Sequence, residues 1–423
     1  MKVAFCTLGC KVNYYETQAM EQLFRSSGYE IVPFETFADI YVINTCTVTQ
    51  TSDQKSRQMI SRAHKQNPNA LIVAAGCYAE TARSSVSQLN GVSLVLGTEG
   101  RQNIVTYCEA MMSGRYAGQE PLPLFSRREF EELSATRENR TRAVLKIQDG
   151  CKNFCTYCAI PFARGLPRSR SLVSCKNELS LLASEGFSEI VLTGIELSEY
   201  GIDLPGQPTL SDVVRIARSV SGIKRIRLGS LDPSFIDSEF IDALKQCPSF
   251  CPQFHLSLQS GSDTVLSRMR RKYNCDDYRH AVSIIREAFP DSAITTDVIA
   301  GFVGETEEEH SQTISFVKEI AFSRMHVFPY SVRKGTAAAS MPGHLPKVVR
   351  EKRAKELILI GHKMEQSYVQ SQIGKKLEVL MEEDGTGYSR NYVRVRCNGH
   401  PGQIINVHIS GCDGTLAIGE AIQ

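Results

Sequence analysis

No stretch of the 423-residue chain approaches the 18 or more apolar residues that a membrane-spanning helix requires. The opening MKVAFCTLGCK breaks its apolar run too early for a secretory signal. Neither a membrane protein nor an exported, disulfide-stapled one is expected, and a cytoplasmic location is. Strong charge of one sign is missing too: 48 Lys and Arg stand against 46 Asp and Glu, a net of +2. Nucleic acid is thus neither demanded nor excluded, and any RNA contact must use local basic patches. Low-complexity tracts and solenoid repeats are also absent from the sequence. What the chain does have is cysteine, 14 in all. In a reducing compartment, metal binding or catalysis explains thiols better than disulfides do.

Cys151, Cys155 and Cys158 stand at CxxxCxxC spacing directly after the apolar run 144–147. Iron–sulfur irons are held by cysteine thiolates, so three ligands on a four-iron cluster leave one iron open to a small molecule. A zinc knuckle is the rival reading. Structural zinc wants four closed ligands, and neither a histidine nor a fourth cysteine lies near in sequence. Unbound structural thiols are a third reading.

The first 100 residues alternate short β-rich runs (3–7, 40–43, 71–74, 94–96) with helical stretches, the pattern of parallel α/β units. One helix is expected over 17–27, stopped by Gly28, and another over 53–66, capped by Ser52 and stopped by Pro68. Cys10, Cys46 and Cys77 each fall just past the end of a strand. Ligands bind at the carboxyl ends of strands in open α/β sheets, so these thiols should converge into a second three-thiolate site. The rival is three unrelated buried thiols. Cys6, inside the first strand, reads as core.

Residues 121–142 turn polar and aperiodic, giving a linker at 126–142 between a domain over 1–125 and one over 143–365. The second block repeats strand then helix six times, with strands near 143–147, 189–192, 224–228, 254–258, 294–300 and 324–328. Helix signals agree: Ser174 as a cap, Gly186 as a stop, Thr306 with Glu309 as a capping box. Six such units make a partial barrel whose site sits at the C-terminal mouth of the strands. Gly194, Glu196, Ser257, Gln259, Gly301 and Gly304 follow those strands and are candidate cofactor contacts. GFVGET also resembles a phosphate loop, weakly. After a helix over 347–373, residues 366–423 close the chain with short alternating strands that suggest a small antiparallel β-barrel. The fold class is α/β: an open parallel sheet, a (βα)6 partial barrel and that β-barrel. Basic residues cluster at Arg164 and Arg168, at Arg270 and Arg271, and at Arg390, Arg394 and Arg396, the last interleaved with Tyr388 and Tyr392. They are candidate phosphate and base contacts, with a solvated charged face as the alternative.

LGCKVNYYET, INTCTVT and AGCYAE carry the first cysteine trio, and DGCKNFCTYCAIPFARG the second. With HLSLQSGSDTVLSRMRRKY, TTDVIAGFVGET and HVFPYSVRKGTAA, the chain resembles the methylthiotransferases of the radical S-adenosylmethionine (SAM) superfamily over essentially its whole length. The resemblance implies two [4Fe-4S] clusters and a C-terminal TRAM domain that binds RNA. The open iron at Cys151, Cys155 and Cys158 would chelate SAM, with Tyr157 against its adenine or simply in the core. Cys10, Cys46 and Cys77 would hold an auxiliary cluster carrying an added sulfur. One SAM would methylate that sulfur, and a second would supply a 5′-deoxyadenosyl radical for a C–H bond too weakly acidic for base catalysis. LGCKVN with NTCTVT is similar to the branch acting on N6-threonylcarbamoyladenosine at tRNA position 37. Isopentenyladenosine tRNA and a ribosomal-protein aspartate are the runner-up substrates. The implied partners are a tRNA anticodon stem-loop, an electron donor and a sulfur source. Glu196 and Glu199 in LTGIELSEYG, and Val303 in GFVGET, depart from the family's usual residues. A noncatalytic RNA-binding protein stapled by metal is the reading from another class, and zinc there would leave the second trio unexplained.

Overall fold

Residues Ile40–Thr45 and Leu71–Gly76 are buried at every position, as central strands of a parallel sheet covered on both faces must be. The computed structural model, which describes residues 1–118, 121–135 and 141–422, sets them in a five-stranded sheet. Its strands are β1 (Lys2–Thr7), β2 (Glu30–Val32), β3 (Ile40–Thr45), β4 (Leu71–Gly76) and β5 (Val92–Gly97). All pairs are parallel, in the order β2-β1-β3-β4-β5. The strand order reverses between β1 and β3, and that switch point is where doubly wound sheets open a crevice for ligands. Helices α1 (Lys11–Ser26), α2 (Gln50–Gln66), α3 (Cys77–Thr81), α4 (Arg83–Ser87) and α5 (Ile104–Met112) connect the strands.

Helix α1 starts well ahead of the expected residue 17. Its first turns bury Asn13, Glu16 and Thr17, polar side chains that hide the apolar period. The expected caps Ser52 and Ser174 are also corrected. The Ser52 amide donates to Thr49 Oγ1, and the Ser174 amide to Ser171 Oγ, both at 3.1 Å. A capping hydroxyl accepts from an amide two or three residues further on, so both sequence readings named the capped residue instead of the cap.

The middle of the chain begins with β6 (Arg142–Lys146), and a short antiparallel clasp of β7 (Gln148–Asp149) and β8 (Arg168–Ser169) brackets the cysteine loop and α6 (Ile160–Arg164). Next come α7 (Leu172–Ser184), β9 (Glu189–Thr193), α8 (Leu210–Ser219), β10 (Arg225–Leu228), β11 (Ser230–Leu231) and α9 (Ser238–Lys245). They are followed by β12 (Gln253–Leu256), α10 (Asp263–Arg268), α11 (Cys275–Ala288), β13 (Ala293–Ala300), α12 (Glu307–Ile320) and β14 (Arg324–Pro329). The parallel sets β6-β9-β10 and β11-β12-β13-β14 form six rows, because β11 continues β10 past Gly229. Ile190, Leu192, Ile226, Phe254, Leu256 and Ile294 pack outward under the helices, so the alternate residues face the lumen. The Thr306–Glu309 capping box is present.

Helix α13 (Lys347–Gln370) runs through the division drawn at 365 and packs on β14. The last strands, β15 (Lys376–Met381), β16 (Thr386–Ser389), β17 (Arg394–Arg396), β18 (Ile404–Asp413) and β19 (Leu416–Ala421), close a barrel in the order β15-β16-β17-β19-β18. It is not wholly antiparallel: β19 closes the gap beside β17 and runs parallel to it. The described part of the linker is held by ion pairs, with Arg127 on Glu80 and Glu99, Glu131 on Arg101 and Glu132 on Arg170. Residues 136–140 of that linker, like Gln423, lie outside the described residues.

At the lumen floor Glu189, fully buried, lies 3.3 Å from Arg142, 2.8 Å from Arg225 and 3.0 Å from Arg227. Arg225 and Arg227 reach on to the carbonyls of Tyr388, Ser389 and Arg390 in the last barrel. Glu189→Ala would leave three arginines around one missing charge, and removing one partner of a buried ionic group costs about 3–5 kcal/mol. The expected result is a lower urea midpoint, with limited proteolysis freeing the last barrel first.

Candidate functional site

Cys10 is the N-cap of α1, Cys46 follows β3 and Cys77 opens α3 directly after β4. The turns that bring them together need glycine. Gly76 has φ +88°, and a Cβ there would fall 2.4 Å from Thr45 O; one on Gly9 would fall 3.0 Å from Cys46 Sγ. The thiols lie close enough that Cys10 and Cys46 both act electrostatically on Cys77. Cys6 lies apart, its charged neighbours being Glu35 and Arg62.

The second trio hangs from the β7–β8 clasp. The Cys151 amide donates to Gly165 O at 3.0 Å, and Thr156 is tied to the carbonyls of Met269 and Arg268. Each sulfur faces a donor: Asn153 N–H for Cys151 (3.4 Å), Arg271 for Cys155 (3.2 Å) and Ile160 N–H for Cys158 (3.5 Å).

Arg164 joins the two trios. Its side chain is wholly buried, and its guanidinium reaches Cys77 Sγ at 3.3 Å, Asn13 Oδ1 at 2.7 Å, Glu16 at 2.8 Å and Asp149 at 3.0 Å. Arg101, Lys146 and Arg168 also pair with Glu16, Glu131 or Asp149. Burial alone would raise the Glu16 pKa, but Arg101, Arg164 and Lys146 outweigh it and hold the carboxyl well below its usual range. Asp149 behaves likewise, with Arg164 its largest cationic influence.

These surroundings fit an iron–sulfur group. Burial pushes the Cys77 thiol up to about 12 despite Arg164, and burial with neighbouring Cys155 does the same at Cys158. A bound metal takes the thiolate regardless, and the donors aimed at Cys77, Cys151, Cys155 and Cys158 then stabilise the sulfur charge. Among the described residues no group of His, Cys, Asp or Glu is gathered as one metal ion requires. A cluster of several irons needs a wider ring of thiolates than a lone zinc does.

The residues proposed for the cofactor differ in how free they are. Gly194 follows β9, and the amides of Ile195 and Glu196 donate to Gln148 Oε1. One Glu196 carboxylate oxygen is buried without a partner among the described residues, and burial and Asp232 push its pKa up to about 7. Glu199 accepts the Lys152 amide inside the cysteine loop. Ser257 and Gln259 share the half-exposed lumen face beyond β12, Gln259 at φ +67°. The Gly301 amide is taken by Glu305, itself held by Arg353, and the Gly304 amide by Gly343 O. GFVGET therefore does not present these amides as a phosphate loop. Tyr157 packs edge-on to Phe302 at 6.3 Å, in a small apolar cluster.

The RNA candidates separate more sharply. Arg164, Arg168 and Arg271 are corrected: they are buried in the ionic network or, for Arg271, on Asp232 and Cys155. Arg390 docks on Phe250 O, and Tyr392 lines the lumen cavity stacked on Tyr388. Arg270, Arg394 and Arg396 are exposed, Arg394 beside Asp384. Reading by sequence missed Glu16, Asn13, Lys146, Asp149 and Gln148. Their only signal was polar residues inside the cysteine motifs and at strand ends.

The family model described as "Uncharacterized protein family UPF0004" matches residues 2–97, and that of the radical SAM superfamily matches 145–317. The chain is 42% identical to the threonylcarbamoyladenosine tRNA methylthiotransferase MtaB of Bacillus subtilis, over 96% of this chain and 93% of that one. It is 34% identical to a tRNA-2-methylthio-N(6)-dimethylallyladenosine synthase of Mycobacteroides abscessus, over 96% and 85%. Among solved structures, the radical SAM methyltransferase TsrM of Kitasatospora setae superposes with a TM-score of 0.59 at 17% identity, over 80% of this chain and 76% of that one.

Arg164→Met should lower the urea midpoint of the metal-free protein at pH 7 by a loss of about 3–5 kcal/mol. Depressed carboxylates contribute stability that is present above their unfolded pKa and lost as pH falls through the folded one. The gap between variant and wild type should therefore be full above about pH 4.5 and shrink on acidification. A gap that stays constant from pH 7 to pH 3 would show that Glu16 and Asp149 do not depend on Arg164.

Proposed function

The chain belongs to the radical SAM methylthiotransferases of the MtaB type, and from that premise we propose that it inserts a methylthio group at C2 of N6-threonylcarbamoyladenosine beside the tRNA anticodon. The proposal includes two [4Fe-4S] clusters, SAM, an external electron donor and a sulfur source, in the cytoplasm where tRNA is modified. No helix among the described residues is long and apolar enough to cross a membrane. The observation that supports it most is a pair of cysteine trios, each with one sulfur facing an arginine, Cys77 on Arg164 and Cys155 on Arg271.

When bound, the cluster at Cys151, Cys155 and Cys158 supplies a low-potential electron and an open iron for SAM. Arg271 and the loop amides stabilise the charge on those sulfurs, and the ties from Thr156 fix the loop. Gly194, Glu196, Ser257 and Gln259, which follow barrel strands, would contact SAM, as would Tyr157, Gly301 and Gly304. Glu196, held near neutrality, suits a hydrogen bond to an anionic or hydroxyl group there. Cys10, Cys46 and Cys77 would hold the sulfur-delivering cluster, with Arg164 orienting Cys77. Dimethylallyladenosine is the alternative base, favoured by relatives such as the 34% identical synthase.

Mass spectrometry of tRNA nucleosides from cells with and without the gene tests the substrate. Loss of the methylthio form of threonylcarbamoyladenosine is expected, and loss only of the dimethylallyl form would overturn the reading. Cys151→Ala should abolish 5′-deoxyadenosine formation from SAM. Cys46→Ala should leave it measurable while stopping methylthio transfer. Equal loss of both activities in a folded Cys46→Ala protein would refute separate roles. Arg394→Glu with Arg396→Glu should weaken tRNA binding and flatten its salt dependence by roughly one unit of log–log slope per lost phosphate contact.

A further inference from the structure

A cavity of about 290 Å³ joins the Cys10 corner to the barrel lumen. Cys10, Lys11 and Tyr14 of α1 form one wall, Val144 and Val191 another, and Tyr392 of the last barrel the floor. Two arginines also reach it, and both are committed. Arg142 lies on Glu189 and Glu382. Arg227 lies on Glu189 and the carbonyls of Ser389 and Arg390. Lys11 differs. It is exposed to the cavity and pairs with no carboxylate among the described residues. Its charge is felt by His326 on β14, near His255 and Asp297.

Among the described residues lining this cavity, Lys11 is thus the cation without a carboxylate partner, one residue from Cys10. The two candidate bases differ in the chemistry they would bring to it. The threonylcarbamoyl arm ends in a carboxylate, whereas the dimethylallyl arm is hydrocarbon. An ammonium desolvated against hydrocarbon loses its water without compensation, whereas against a carboxylate it gains a charge-assisted hydrogen bond. Tyr392 supplies a rigid wall opposite. Its ring is stacked on Tyr388 at 4.8 Å and has the Arg227 guanidinium 5.1 Å from its centroid, which holds this side of the cavity in place.

We propose that Lys11 binds the carboxylate of the threonylcarbamoyl arm and so determines which modified adenosine is accepted, an assignment that rests on the threonylcarbamoyladenosine reading. The test uses reconstituted holoenzyme and three anticodon stem-loops: one bearing threonylcarbamoyladenosine, one its methyl ester, one dimethylallyladenosine. Wild type should favour the acid over the ester. Lys11→Met should raise KM for the acid about ten- to a hundredfold, the span expected when a hydrogen bond between charged groups is lost, and should no longer distinguish acid from ester. Lys11→Arg should restore the preference, and iron content and thermal melting separate a folding defect from a recognition defect. A Lys11→Met enzyme of wild-type iron content that keeps the full preference for the acid would overturn the assignment and leave the substrate reading intact. Wild-type activity confined to the dimethylallyl stem-loop would overturn both.

Discussion

A single guanidinium, wholly removed from water, ties the two cysteine sites together. Desolvating a charge costs several kcal/mol, so Arg164 can be buried only where its partners are fixed beforehand. Glu16 and Asn13 come from α1, Asp149 from the clasp that carries the second cysteine loop, and Cys77 from the end of β4. The next residue, Gly165, receives the Cys151 amide. Through two consecutive residues, one trio is bonded by side chain and the other by backbone. The relative position of the trios is thus set by hydrogen-bond geometry, to which the linker adds Glu131 on Arg101.

A hydrophobic plug of similar volume could hold the same interface at no loss of stability, so stability alone does not account for so many buried charges. Their balance offers a reason. Among the described residues, Arg101, Lys146, Arg164 and Arg168 share three carboxylates, Glu16, Glu131 and Asp149, and Arg164 also reaches a cysteine sulfur. A thiolate cluster would complete the count. Metal-binding cysteines are tuned by the hydrogen bonds and charge around their sulfurs, and here that charge is built into the domain interface.

The convergence of Cys10, Cys46 and Cys77 was legible because it follows from topology: each comes just after a parallel strand, and β1 and β3 flank the switch point. The longer parallel strands named from the sequence lie within about two residues of those found, whereas the short β2 and β16 carried no apolar run to mark them. The arginines were not. Arg164, Arg168 and Arg271 follow cysteine or glycine-rich motifs in positions that look like basic loop surface, yet their partners lie far away in sequence, Glu16 for Arg164 and Asp232 for Arg271. Local pattern carries no record of such pairing. The start of α1 was hidden by the same network, because Asn13 and Glu16 occupy a helix face that apolar residues would otherwise mark.

A barrel of six strands leaves one side open, and the rest of the chain is arranged around that gap. Tyr15 and Ala19 of α1 pack with Leu133 and Ala135 against Val144 on β6, which brings Cys10 to the edge of the lumen. From the far edge, beyond β14, Arg333 pairs with Asp53 at 2.7 Å and so holds the first domain across the opening. The floor is closed by the last barrel through Arg225, Arg227 and Arg390. A full eight-stranded barrel fills its interior with side chains, whereas this one keeps a cavity walled by all three parts of the chain. Each part contributes lining residues, so the walls of this cavity are complete only with the three docked together.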